Sequence, residues 1–161
     1  MRPTSIALPL FALALASVLP SRASACSCVF LPDFPTAYAQ SHTIFLGEVT
    51  GVETASPEYS EAVWVTFTVE TDWKGVPPAT VRVLTGAHDG VCGVGFVPGE
   101  RYLVYALAGG TLYGPLPPGE VWTHSCWRTH GAWPEDPDIP LLNAITPVLP
   151  PSWGSLKIRY R

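Results

Sequence analysis

The sequence predicts a small, mainly β domain, a five-stranded antiparallel barrel with one or two short flanking helices. Three observations lead there. Short runs of alternating apolar and polar residues recur along the chain, and Gly/Pro turn signals separate them. The 18 prolines and 14 glycines in 161 residues also favour short elements joined by defined turns over long helices.

Residues 1–25 read as an export signal and not as part of the fold. Arg2 supplies a basic start, Ile6 to Leu19 form an almost wholly apolar run, and Ala23-Ser24-Ala25 offers the small residues of a cleavage site. The run is too short for a stable membrane span, so no transmembrane helix is expected after cleavage. Cleavage after Ala25 makes Cys26 the first mature residue and the protein secreted. A lipid anchor on Cys26 at the cell envelope is the alternative, although Ala23 stands where such signals usually want a bulky aliphatic residue.

The 136 residues that remain suit one domain with one core, residues 26–146, followed by a tail over 147–161. Pro35 to Gln40 is expected to form the first helix, with Pro35 at its first position. Thr43 to Val52 is rich in β-branched and aromatic residues. Val63 to Val69 alternates Val63, Val65, Phe67 and Val69 against Trp64, Thr66 and Thr68. Thr80 to Thr85 and Arg101 to Leu107 are the third and fourth strands, and Glu120 to Thr123 the fifth. Turns fall at Lys74 to Pro78, Pro98 to Glu100 and Gly109-Gly110. Asp138 to Ile145 is a second short helix. In the tail, Leu156, Ile158 and Tyr160 alternate with Lys157, Arg159 and Arg161, a pattern that allows an edge strand.

Beyond residue 25 the chain carries seven Lys and Arg against thirteen Asp and Glu, a net charge of −6. Such a balance offers no electrostatic footprint for nucleic acid. An enzyme is not expected either. His42, His88, His124 and His130 lie in no metal-ligand spacing and read as surface or turn histidines, and Ser27 lacks any local nucleophile pattern. No metal or cofactor of the chain's own is expected. Trp122, Trp127, Trp133 and Trp153 read as core or capping aromatics, with a sugar-binding platform as the weaker reading.

Four cysteines, Cys26, Cys28, Cys92 and Cys126, follow the signal, and an even number in an oxidising compartment points to disulfides. A bridge within Cys26-Ser27-Cys28 would close a very tight ring between side chains that point to opposite faces. Each of the pair therefore ties to a distant partner, Cys92 or Cys126, and the N-terminus is pinned to the body of the domain. Simple stapling of a small exported domain accounts for this as well as function does.

Several features together resemble the netrin-like module of tissue inhibitors of metalloproteinases, in particular its one-domain bacterial members. They are Cys26-Ser27-Cys28 at the mature start, a short helix leading into Ile44 to Val49, Val91-Cys92-Gly93 followed by Gly99 to Tyr105, and Thr123-His124-Ser125-Cys126. The resemblance runs from Cys26 to about Trp127. It implies an OB-like barrel with the pairings Cys26 to Cys92 and Cys28 to Cys126. It further implies that the α-amine and carbonyl of Cys26 chelate the catalytic zinc of a target protease. Ser27 would project into the pocket beside that metal, Cys28 and Val29 would run along the cleft, and Asp89-Gly90-Val91 would form a second contact ridge. The only metal involved is the protease's zinc, bound in trans, and a monomer is expected. With four cysteines and 35 residues after Cys126, the chain departs from the animal inhibitors by lacking their third disulfide in this module and their second domain. A non-inhibitory binding or structural module, extracellular or attached to the envelope, is the alternative function, since one fold hosts many.

Overall fold

The computed structural model describes residues 26–59, 61–75 and 77–145; the expected signal, residues 1–25, and the tail, 147–161, lie outside them. The elements run α1 (Phe34–Gln40), β1 (Thr43–Thr54), β2 (Ala62–Lys74), β3 (Thr80–Gly86), a 3-10 turn (Asp89–Val91), β4 (Arg101–Ala106), β5 (Val121–Trp122), β6 (His130–Gly131) and α2 (Asp138–Ile145). Among them no helix is long and apolar enough to cross a membrane.

The strands form one curled sheet in the order β5-β3-β2-β1-β4-β6, antiparallel except where β3 meets β5. Three register shifts between β1 and β2 supply local bends. At the far side the backbones of Leu107 and Trp122 exchange hydrogen bonds of 2.7 and 3.0 Å, which draws the end of β4 onto β5. The half-barrel is thereby joined in the cyclic order β1-β2-β3-β5-β4, consistent with a small OB-like barrel. The sixth strand, β6, adds two residues to β4 and was not expected from the sequence.

Period-two alternation decides what each strand buries. Phe45 and Val49 of β1, Val65 and Phe67 of β2, Val83 of β3 and Val104 of β4 meet inside the curl with Phe96 and Tyr102. The opposite faces of β1 and β4 are buried too, because Ile44, Leu46, Leu103 and Tyr105 lie under Ala37 of α1 and Leu142 of α2. Two-sided burial explains why Tyr102 to Ala106 are all buried in sequence. A third cluster covers the outer face of β2 and β3. There Trp64, expected on the polar side of its strand, is buried with Tyr59, Leu84, Tyr113 and Trp122.

α1 starts one residue earlier than Pro35 because Asp33 caps it, its side chain accepting a 3.0 Å hydrogen bond from the backbone N–H of Thr36. Asp33→Ala is expected to lower stability, read as a reduced midpoint in urea denaturation at unchanged slope. On the same face α2 is tied to β2 by a 2.7 Å hydrogen bond from the indole N–H of Trp73 to Asn143 Oδ1.

Candidate functional site

Residues 26–33 form an arm with neither helix nor strand, held by two disulfides, Cys26 to Cys92 and Cys28 to Cys126, with Cα separations of 5.3 and 5.1 Å. Both receiving cysteines are placed by the backbone around them. The 3-10 turn Asp89–Val91 is capped by His88, whose Nδ1 accepts from the N–H of Gly90 at 3.1 Å. Cys92 then takes a left-handed conformation, φ 57°, and donates its N–H to the Asp89 carbonyl. The chain returns against the end of β3, where the N–H of Val94 reaches Thr85 Oγ1 at 3.1 Å. This approach requires glycine: a Cβ on Gly93 would sit 2.2 Å from the carbonyl oxygen of Gly86.

Hydrogen bonds also hold the segment of Cys126 beside Cys92. The Cys92 carbonyl accepts from the N–H of Ser125 at 2.8 Å and from the Tyr113 hydroxyl at 3.1 Å. The N–H of Trp127 closes the local turn onto the carbonyl of His124 at 2.9 Å.

The result is a pinned and displayed segment. Cys26 is half-buried, while Ser27 and Cys28 are exposed. Val29, Phe30 and Leu31 follow at 82, 84 and 65% exposure, an apolar run longer than the single Val29 expected from the sequence. Phe30-Leu31 ahead of Pro32 was the visible signal for it. Asp89 is exposed and Gly90 and Val91 half-buried in the turn that leads directly into Cys92, so the Cys26 bridge joins both expected contact segments. A shallow concavity of about 280 Å³, lined by Glu61, Val91, Cys92, Leu112 and Tyr113, flanks the junction.

A second constellation lies around β6. His130 is not the plain surface histidine its isolated spacing suggests. Its Nε2 faces Asp136 Oδ2 at 2.7 Å and its Nδ1 faces the Arg128 carbonyl at 2.6 Å. Asp136 in turn accepts from the backbone N–H of Asp138. Asp138 is buried and accepts from the Tyr105 hydroxyl at 2.7 Å and from Arg128 Nη2 and Nε at 2.6 and 2.5 Å. Burial pushes the Asp138 carboxyl up, but hydrogen bonds from Arg128 and Tyr105 and the guanidinium charge outweigh it and hold the group below the ordinary aspartate value. The Tyr105 hydroxyl is pushed far up by burial and by donating to Asp138. His130, Asp136 and Asp138 do place ligand atoms within 4.8 Å of one another. Each carboxylate is already engaged by protein donors, as a clasp between β6 and α2.

His124 also departs from a surface position. It stacks on Trp122, ring centroids 5.2 Å apart, and burial holds its imidazole down. Trp122 is in the core and Trp127 packs against the core, as expected, its indole N–H donating to Ser41 Oγ at 3.0 Å. Trp127 and the half-exposed Trp133 also line a cleft of about 270 Å³ with Arg128 and His130. Trp153 lies outside the described residues. Comparison of the chain with models of protein families and with curated proteins gives no match.

Proposed function

We propose that the mature chain inhibits zinc metalloproteases by presenting Cys26 to the metal. The observation that carries this reading is the double pinning of residues 26 and 28 beside an exposed Ser27-to-Leu31 run. Chain ends ordinarily fray, and a rigid end loses little freedom on binding. A free α-amino group ordinarily titrates at about 7.7–8.0, so near neutral pH part of one exposed by cleavage after Ala25 would be unprotonated, and a metal favours that form further. Amine nitrogen and Cys26 carbonyl oxygen form a short chelate that can displace the water from the open position of a catalytic zinc. Ser27 then points beside the metal, Cys28 and Val29 follow the cleft, and Asp89-Gly90-Val91 supports the contact from the bridged turn.

The test is inhibition of a panel of zinc metalloproteases by two forms of the protein, one beginning at Cys26 and one with a single alanine before it. The extension keeps both bridges and the whole fold but turns the amine into an amide. Inhibition by the first form and a loss of at least about 100-fold in the second is expected, because an amide nitrogen is no zinc ligand. Equal potency of the two forms would exclude chelation.

The tryptophan cleft favours a second reading, a binding module for carbohydrate. Trp133 offers an exposed ring next to His130, centroids 5.1 Å apart. A glycan-array signal that disappears in Trp133→Ala supports this reading; an empty array removes it.

A further inference from the structure

The two disulfides are not separate staples. The Sγ atoms of Cys26, Cys92 and Cys126 all lie within 4.8 Å of one another, and Cys28 is bonded to Cys126. The informative distance runs between the bridges, where Cys26 Sγ is 3.8 Å from Cys126 Sγ. With Zn–S bonds of about 2.3 Å, the edge of a tetrahedral thiolate site is about 3.8 Å.

The backbone supports such a site after the bridges open. Cys92 and Cys126 remain neighbours through the Ser125 N–H and Tyr113 hydroxyl bonds to the Cys92 carbonyl. The Cys26-Ser27-Cys28 arm has no secondary structure to unmake, so Cys28 is free to close on the other three once its bond to Cys126 opens. Three of the four cysteines are partly shielded from water.

We propose that the reduced domain binds one thiophilic divalent cation, with Zn²⁺ as the first candidate, through the thiolates of Cys26, Cys28, Cys92 and Cys126. Two equivalents of a dithiol reductant deliver four electrons and four protons, opening both S–S bonds while each dithiol closes to its own disulfide. Zn²⁺ then takes the four sulfurs and releases four protons to solvent. Reoxidation by two equivalents of a disulfide oxidant, which takes up the four electrons with four protons and leaves as thiols, restores the two bridges and expels the ion. The site is independent of the inhibitor reading, which uses the oxidised form and a zinc held by another protein.

The experiment is an anaerobic titration with Co²⁺ of the protein reduced by a phosphine and then separated from it. One Co²⁺ per chain is expected, with the visible bands of tetrahedral cobalt and the charge-transfer intensity of four thiolates, bleached by one equivalent of Zn²⁺. Zn²⁺ is also expected to restore the near-ultraviolet circular dichroism of the aromatic core if reduction weakens it. Each of Cys26→Ser, Cys28→Ser, Cys92→Ser and Cys126→Ser should lose the four-thiolate signature. Octahedral cobalt, a stoichiometry other than one, or equal affinity in urea that unfolds the chain would each overturn the proposal. So would a reduced chain that remains unfolded with Zn²⁺ present.

Discussion

Arg128→Ala is expected to destabilise the domain by about 3–5 kcal/mol, the loss seen when one partner of a buried ion pair is removed. The Asp138 side chain is only 1% exposed, and Arg128 supplies two of its donors, leaving only the Tyr105 hydroxyl and the Asp136-bound turn around it. The same guanidinium donates to the Pro32 carbonyl at 3.2 Å and lies over the Phe34 ring, so it also fixes the exit of the N-terminal arm. Stability and arm position should fall together, and urea denaturation at pH 7 measures the first. A loss below about 1 kcal/mol would mean that the pair behaves like a surface contact.

The clasp has a pH signature of known sign. Asp138 is held below its ordinary value of 3.8, so the folded state binds its proton less readily than the unfolded state does. Its contribution is complete above that ordinary value and is lost as pH falls through the lower folded value. Denaturation midpoints taken downward from pH 7 should therefore drop more steeply below about pH 4 in the native chain than in Asp138→Asn.

The second large effect is loss of the longer bridge. Cys28 and Cys126 are 98 residues apart, and for a loop near that length the chain-entropy model gives about 4.7 kcal/mol, while measured losses of native bridges run at about 2–5 kcal/mol. The double variant Cys28→Ser/Cys126→Ser should fall in that range, with Cys26 still bonded to Cys92. Its arm is then held at one point instead of two, so inhibition should weaken even at temperatures where the barrel stays folded. An unchanged denaturation midpoint would show that the bridge constrains nothing the core does not already hold.

Most of the barrel was legible because its signals are local. Alternation marked β2 and β3, β-branched and aromatic residues marked β1, and Pro35 marked the first helix, where a proline in the first turn is favoured. The misses have physical causes. β6 is a two-residue strand at His130–Gly131 and carries no period to detect. Trp64 was placed on the polar face because periodicity speaks for a strand alone, while its burial comes from Tyr59 in the adjoining β1–β2 loop and Tyr113 in a distant one. The clasp of Arg128, His130, Asp136 and Asp138 was hidden because no metal-ligand or catalytic spacing marks it, and only the packing of α2 against β4 buries its second carboxylate. Cysteine spacing alone left two cross-pairings open. The resemblance to the inhibitor module chose between them, and the bridges in the structure have that pairing.

The most direct measurement is intact mass spectrometry of the protein purified from its native host, before and after reduction. A mass starting at Cys26, with no group on the amine and a rise of about 4 Da on reduction for two bridges, is the expected result. It would put the chelating nitrogen and both pins of the arm in the same molecule. A mass that carries acyl chains, or that begins at another residue, would contradict the proposed inhibition, because the nitrogen meant for the zinc would be blocked or absent.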